Sequence, residues 1–164
     1  MATKVWVGTD AGNEGDWDTA ANWSPSGVPI AADDVVLANS SQDVLSGLDQ
    51  SAVALTSITI DQSYTGLIGT LQSDFLQVAA ATAVIGQSRT TTGTLTGSKR
   101  LNLDFGSSTA CDIQVYNTAR LAQDQNRQPL RIRAVNASTT LQVYSGQLAV
   151  SDDNSDSSTL SSIV

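Results

Sequence analysis

The stretch DAGNEGDWD, residues 10–18, gathers Asp10, Glu14, Asp16 and Asp18 around Gly15. Carboxylates on a glycine-bearing loop are the raw material of a calcium site. Such a loop takes oxygen ligands from its positions 1, 3 and 5 and usually a bidentate glutamate at position 12. Counted from Asp10, position 3 is Gly12 and position 12 is Ala21, so the stretch reads as a solvated acidic turn and no metal is expected. Two carboxylate doublets, Asp33–Asp34 and Asp152–Asp153, raise glycoside hydrolysis. Neighbours on a strand face opposite sides, so only a pair drawn from different segments could flank one bond. There is no histidine, which removes the Ser-His-Asp and Cys-His arrangements and the usual zinc ligand sets. Cys111 is the only cysteine and cannot form a disulfide within the chain. No catalytic, metal-ligating or cofactor-binding residue emerges, and the chain is expected not to be an enzyme.

Aromatic side chains offer a different chemistry. Trp6, Trp17 and Trp23 all precede the first proline, Pro25, and Tyr64, Tyr116 and Tyr144 follow later. Exposed tryptophans beside acids would make a carbohydrate platform, while buried ones would plug a fold that has few other bulky residues. Charge marks a further segment, residues 117–133, with Arg120, Arg127, Arg131 and Arg133 around Pro129. Arginine suits interfaces, because its planar head bonds bidentately while its stem packs. This segment is expected to include a projecting contact loop, with a solvated loop as the plain alternative. Residues 89–133 hold seven bases against three acids, whereas residues 1–88 hold one base and ten acids. A basic patch could therefore meet the acidic head of another copy or an acidic partner surface.

The elements that must position these residues are strands. Of 164 residues, 39 are serine or threonine, and 15 of the 16 acids are aspartate. That bias disfavours helix interiors and favours turns, caps and strands. Short alternating runs such as KVWVG, DVVLA, LTSITID, FLQVA, RLNLDF, DIQVYN, LRIRAV and TLQVYS are separated by Gly, Ser, Asn and Asp clusters. Successive runs begin at Leu55, Phe75, Arg100 and Leu130, and no Asn-Gly or Asp-Gly hairpin pair occurs. Intervals of this length suit the coils of a short β-solenoid (β-helix), with a β-sandwich or jelly roll as the alternative. A solenoid's first coil needs a cover for its apolar end and strand edge. Residues 1–50 hold every tryptophan and two of the three prolines, and read as an N-terminal cap with its leading strands, residues 51–164 being the solenoid body. Within the cap, Trp6, Trp17 and Trp23 would cover the core, Pro25 and Pro29 would fix a turn, and Gly27 would free it between them. DDVVLA would then lead into the first coil.

The opening phrase, W.G......W....NWSPSGVP...DDVV, resembles the start of β-helical proteins of phage particles and of large bacterial surface proteins. SITIDQSYTGLIG, LNLDFGSSTACDIQVYNTA and LRIRAVNASTTLQVYSGQLAV resemble the phage group more closely. That group consists of virion structural proteins, among them head decoration or auxiliary proteins. The resemblance covers most of the chain, and its phrases are turns and strands with no catalytic signature. It implies a bacteriophage decoration protein on the capsid exterior, bound to the major capsid protein as a homo-oligomer, with a trimer suggested by the threefold junctions of capsids. A carbohydrate-binding adhesin or tail-associated receptor-binding module is the alternative, and a polysaccharide-degrading enzyme the third reading. The net charge of −8 opposes nucleic-acid binding through phosphates. With no cleavable apolar leader and no apolar run long enough to cross a bilayer, neither secretion nor a membrane span is expected. The expected place is the virion, assembled in a host cytoplasm.

Overall fold

The computed structural model describes residues 1–69, 74–87, 101–116, 130–134, 136–144, 148–150 and 162–163. Within them, eleven strands form one continuous sheet: β1 Thr3–Trp6, β2 Trp23–Ser24, β3 Asp34–Leu37, β4 Asp49–Asp61, β5 Leu76–Gln87, β6 Leu101–Asp104, β7 Asp112–Val115, β8 Leu130–Arg133, β9 Thr140–Val143, β10 Leu148–Val150 and β11 Ser162–Ile163. Every pairing between these strands is parallel except that of β1 with β2. Parallel neighbours far apart in sequence are what coils produce and what sandwich hairpins do not. The chain is an all-β, short β-solenoid.

Two ladders share the coils. One stacks β1, β3, the second half of β4, the second half of β5, β7, β9 and β11. Its register runs through Thr3, Asp34, Ser57, Thr82, Asp112, Thr140 and Ser162, each beside the next. The other ladder stacks the start of β4, the start of β5, β6, β8 and β10. A register shift between Gln50 and Ala54 lets β4 turn from one ladder to the other. The unequal steps along the first series explain why the repeat is so faint in sequence, since the corners differ in length while the rungs keep register.

Alternation along each rung sets the core. On the first ladder Val35, Ile58, Ala83, Ile113 and Leu141 form one inward stack and Leu37, Ile60, Ile85 and Val115 the next, all buried. On the second, Leu101 and Leu130 lie in one inward stack and Leu76, Leu103 and Ile132 in another. β-Branched, leucine and alanine side chains stacked on themselves fill these positions of the coil. Ile68 pairs with Leu101 and Leu76 with Leu103, so a longer segment of one coil answers a shorter one of the next. Gly69 makes this feasible. Its φ is +73°, and a Cβ there would collide with the Asp74 carbonyl oxygen, so both backbone shape and space require glycine.

The ladder also begins earlier than DDVVLA, because β1 is already parallel to β3 from Thr3↔Asp34 to Val5↔Val36. The head segment is thus both a rung and the cover of that rung. Position 50, where composition changes, falls inside β4.

Candidate functional site

At the head, the three indoles close on one another. Trp17 and Trp23 are 4.6 Å apart, edge to face, Trp6 and Trp23 5.1 Å, and Trp6 and Trp17 6.3 Å with nearly parallel rings. Their exposures are 0%, 0% and 2% for Trp6, Trp17 and Trp23, so no tryptophan platform is open to a ligand. β2 brings Trp23 opposite Trp6 on the outer edge of β1 and occupies that edge with two antiparallel residue pairs. Trp23 Nε1 donates to the Trp17 carbonyl (2.8 Å), and Trp6 Nε1 to the Gln42 carbonyl (3.1 Å). The Tyr64 hydroxyl donates to the same Gln42 carbonyl (2.9 Å), and burial, with the Asp43 carboxylate second, pushes its pKa up. Tyr64 is therefore part of the packing and is removed as a stacking surface.

The loop before β2 is tied by Asn22, which is fully buried. Its amide donates to the Asn13 and Asp16 carbonyls and its carbonyl accepts from the Asp10 N–H (2.9 Å). Lys4 Nζ donates to the Pro25 and Ser26 carbonyls and lies where a Cβ on Gly27 would come within 3.1 Å. Gly27 has φ +118°, the Ser24–Pro25 bond is cis, and Pro29 is buried while Pro25 is exposed. The acidic turn is occupied by its own bonds. Asp10 accepts from Asn13, Asp16 from Asp18 and Thr19, and Asp18 from Gln50. Among the described residues no group of three or more side chains could hold a metal. Asp33 and Asp34 diverge as strand geometry demands: Asp33 accepts from the Ala2 and Ile30 N–H groups, Asp34 from the Ser57 hydroxyl. Asp152 and Asp153 lie outside the described residues.

The arginines separate. Arg120 and Arg127 lie outside the described residues. Arg131 and Arg133 both stand on β8, with guanidinium carbons 5.7 and 5.5 Å from the Phe75 ring centroid. Arg133 pairs with Asp104 through Nε (2.9 Å) and Nη2 (2.8 Å), and the other oxygen of Asp104 accepts from the Gly106 N–H. Arg131 is only 5% exposed. Phe75 packs beside both guanidinium groups on the outer face of this ladder.

On the outward face of the first ladder, β7 and β9 bring polar and aromatic side chains into one strip. β7 and β9 are in register, Asp112 with Thr140 and Gln114 with Gln142, and the ladder continues one residue further, where Tyr144 N–H donates to the Val115 carbonyl. Asp112, Gln114 and Tyr116 therefore lie beside Thr140, Gln142 and Tyr144 on the outer face. The two tyrosine rings stack at 4.7 Å and 13°, and Tyr144 remains 52% exposed. Each hydroxyl donates to the preceding glutamine on the same face, Tyr116 to Gln114 (3.1 Å) and Tyr144 to Gln142 (3.0 Å). Thr140 donates to one Asp112 oxygen (2.6 Å) and Gln114 to the other (3.2 Å). An open depression of about 460 Å³ lies along the other end of the strip, lined by Ala81, Ala110, Asp112, Ser138, Thr140 and Gln142. Sequence reasoning named the tyrosines and missed their polar companions. The signal was present: DIQVY at 112–116 and TLQVY at 140–144 carry the same Q-V-Y ending, one coil apart. The Cys111 thiol beside them is buried, and that burial raises its pKa to about 12, away from reactivity.

No protein-family model, no curated protein and no solved structure matches this chain. Its solenoid and aromatic N-terminal cluster are consistent with β-solenoid structural proteins in general. Among the described residues no helix is long and apolar enough to cross a membrane.

Proposed function

We propose that this protein is a non-enzymatic structural component of a bacteriophage particle, a decoration protein that attaches to the major capsid protein as a homo-oligomer on the outside of the head. The observation that carries this reading is the closed head. All three tryptophans and Tyr64 are buried, so the aromatic rings close the head of a parallel solenoid and do not form a sugar platform there. A body of this kind acts by covering surface across subunit junctions. Binding only the assembled lattice stabilises that lattice by mass action.

Cosedimentation with emptied heads of the phage that encodes it is the test. Saturable binding, with decorated heads surviving heat or low ionic strength that breaks bare ones, is the expected result. Heads that neither retain the protein nor gain resistance from it would overturn the proposal.

A further inference from the structure

We infer that the outward strip formed by Tyr144, Tyr116, Gln142, Gln114 and Asp112 is a binding site for a neutral, unbranched oligosaccharide. Three observations point to this class. First, Tyr144, stacked on Tyr116, is an exposed ring, and sugars place their C–H faces on such rings. Second, the Gln142 side-chain oxygen accepts from Tyr144, its amide nitrogen has no partner among the described residues, and the residue lines the depression. A carboxamide fixed in this way offers donors to a hydroxyl lying over the tyrosine. Third, the strip runs from Tyr116 to Asp112, roughly 13 Å at strand spacing, enough for more than one ring in a row.

Other ligand classes fit worse. A peptide adding itself as a strand needs a free edge, but β7 is paired on both sides, to β5 and β9, and β9 is paired to β7 along its length and to β11 at Thr140 and Leu141. Nucleic acid needs cations to meet phosphates, and the named side chains of the strip include a carboxylate and no base. The same carboxylate, on a chain of net charge −8, repels sugars bearing acidic groups. Asp112 is already held by Thr140 and Gln114 and can accept from a neutral sugar hydroxyl at its remaining lone pairs.

The test is calorimetric titration of the whole chain with hexasaccharides of β-1,4-glucose, α-1,4-glucose, β-1,4-mannose and β-1,4-N-acetylglucosamine, against oligogalacturonate as the acidic comparison. At least one neutral probe should bind saturably and oligogalacturonate should not. Tyr144→Ala should weaken that binding by about tenfold or more, and Gln142→Ala by a similar factor, while Tyr144→Phe, which keeps the ring, should stay within about threefold of the parent. Backbone NMR shifts on adding the neutral probe should concentrate at Gln142 and Tyr144, a readout that does not depend on the variants folding. Absence of saturable binding to every neutral probe, preference for oligogalacturonate, or shifts confined to another face would each overturn the site. Head attachment is measured separately, so failure of one proposal leaves the other intact.

Discussion

At the residue scale, the chain concentrates its large aromatic volume in one place. Trp17 and Trp23 are buried against each other, so Trp17→Ala or Trp23→Ala should lower unfolding free energy by about 3–5 kcal/mol, the range for truncating a buried large aromatic. Urea unfolding of each variant checks this, and midpoints equal to the parent's would show the rings to be dispensable. Asp33 gives a pH-dependent counterpart. The Ala2 N–H and then the Ile30 N–H hold its pKa below the ordinary 3.8. A depressed folded pKa stabilises the protein above the unfolded value, and this contribution is lost as pH falls through the folded one. Asp33→Asn should therefore show a smaller loss of stability between pH 7 and pH 3 than the parent, measured by urea midpoints at both pH values. An unchanged difference would assign acid sensitivity to other carboxylates. The tryptophans' burial was legible because the sequence has so few rings to spend. Asn22 was not, since the backbone groups of Asp10, Asn13 and Asp16 meet it only after the loop closes.

At the element scale, strand identity followed directly from alternation, and the parallel solenoid from the long spacing of the runs with no tight hairpin pairs. What alternation could not give is which outward face stays outward. Leu130 to Arg133 alternates as cleanly as Asp112 to Val115, yet Arg131 is buried and the β7 face is open. Phe75, a residue from a different coil, packs beside both guanidinium groups. No local pattern on β8 records this. It follows that Arg133→Ala should be destabilising by about 2–3 kcal/mol, because Asp104, 4% exposed, loses a charged donor. The cost should fall below the roughly 3–5 kcal/mol of a fully buried pair, since the Arg133 side chain is 29% exposed. Arg131→Ser should also destabilise through lost packing on Phe75, and Arg131→Lys should recover only part of that loss. Thermal melts compare the three. Unchanged midpoints for Arg131→Ser and Arg133→Ala together would return these side chains to the surface role their sequence suggests.

At the scale of the whole molecule, a solenoid is nearly one-dimensional. Each rung is held by its two neighbours, so stability passes along the ladder and an uncovered end should fray. β1 would be such an end, with one parallel neighbour, β3. Instead β2 bonds to its other edge, and the indoles of Trp6, Trp17 and Trp23 close the core beneath it. Amide hydrogen exchange should therefore show Val5 and Val36 protected to a degree comparable with Ile58 and Ala83 in the middle of the ladder. Trp23→Ala removes both the edge partner's packing and the donor to the Trp17 carbonyl. Its effect should be graded: exchange should quicken most in β1 and β3, less in β4, and least in β7 and β9, following the order of the rungs. A uniform loss of protection from β1 to β9 would mean that the ladder unfolds as one unit and that the head does not act as a local seal. A graded loss would establish the tryptophan cluster as the element that lets a parallel stack begin without an open edge.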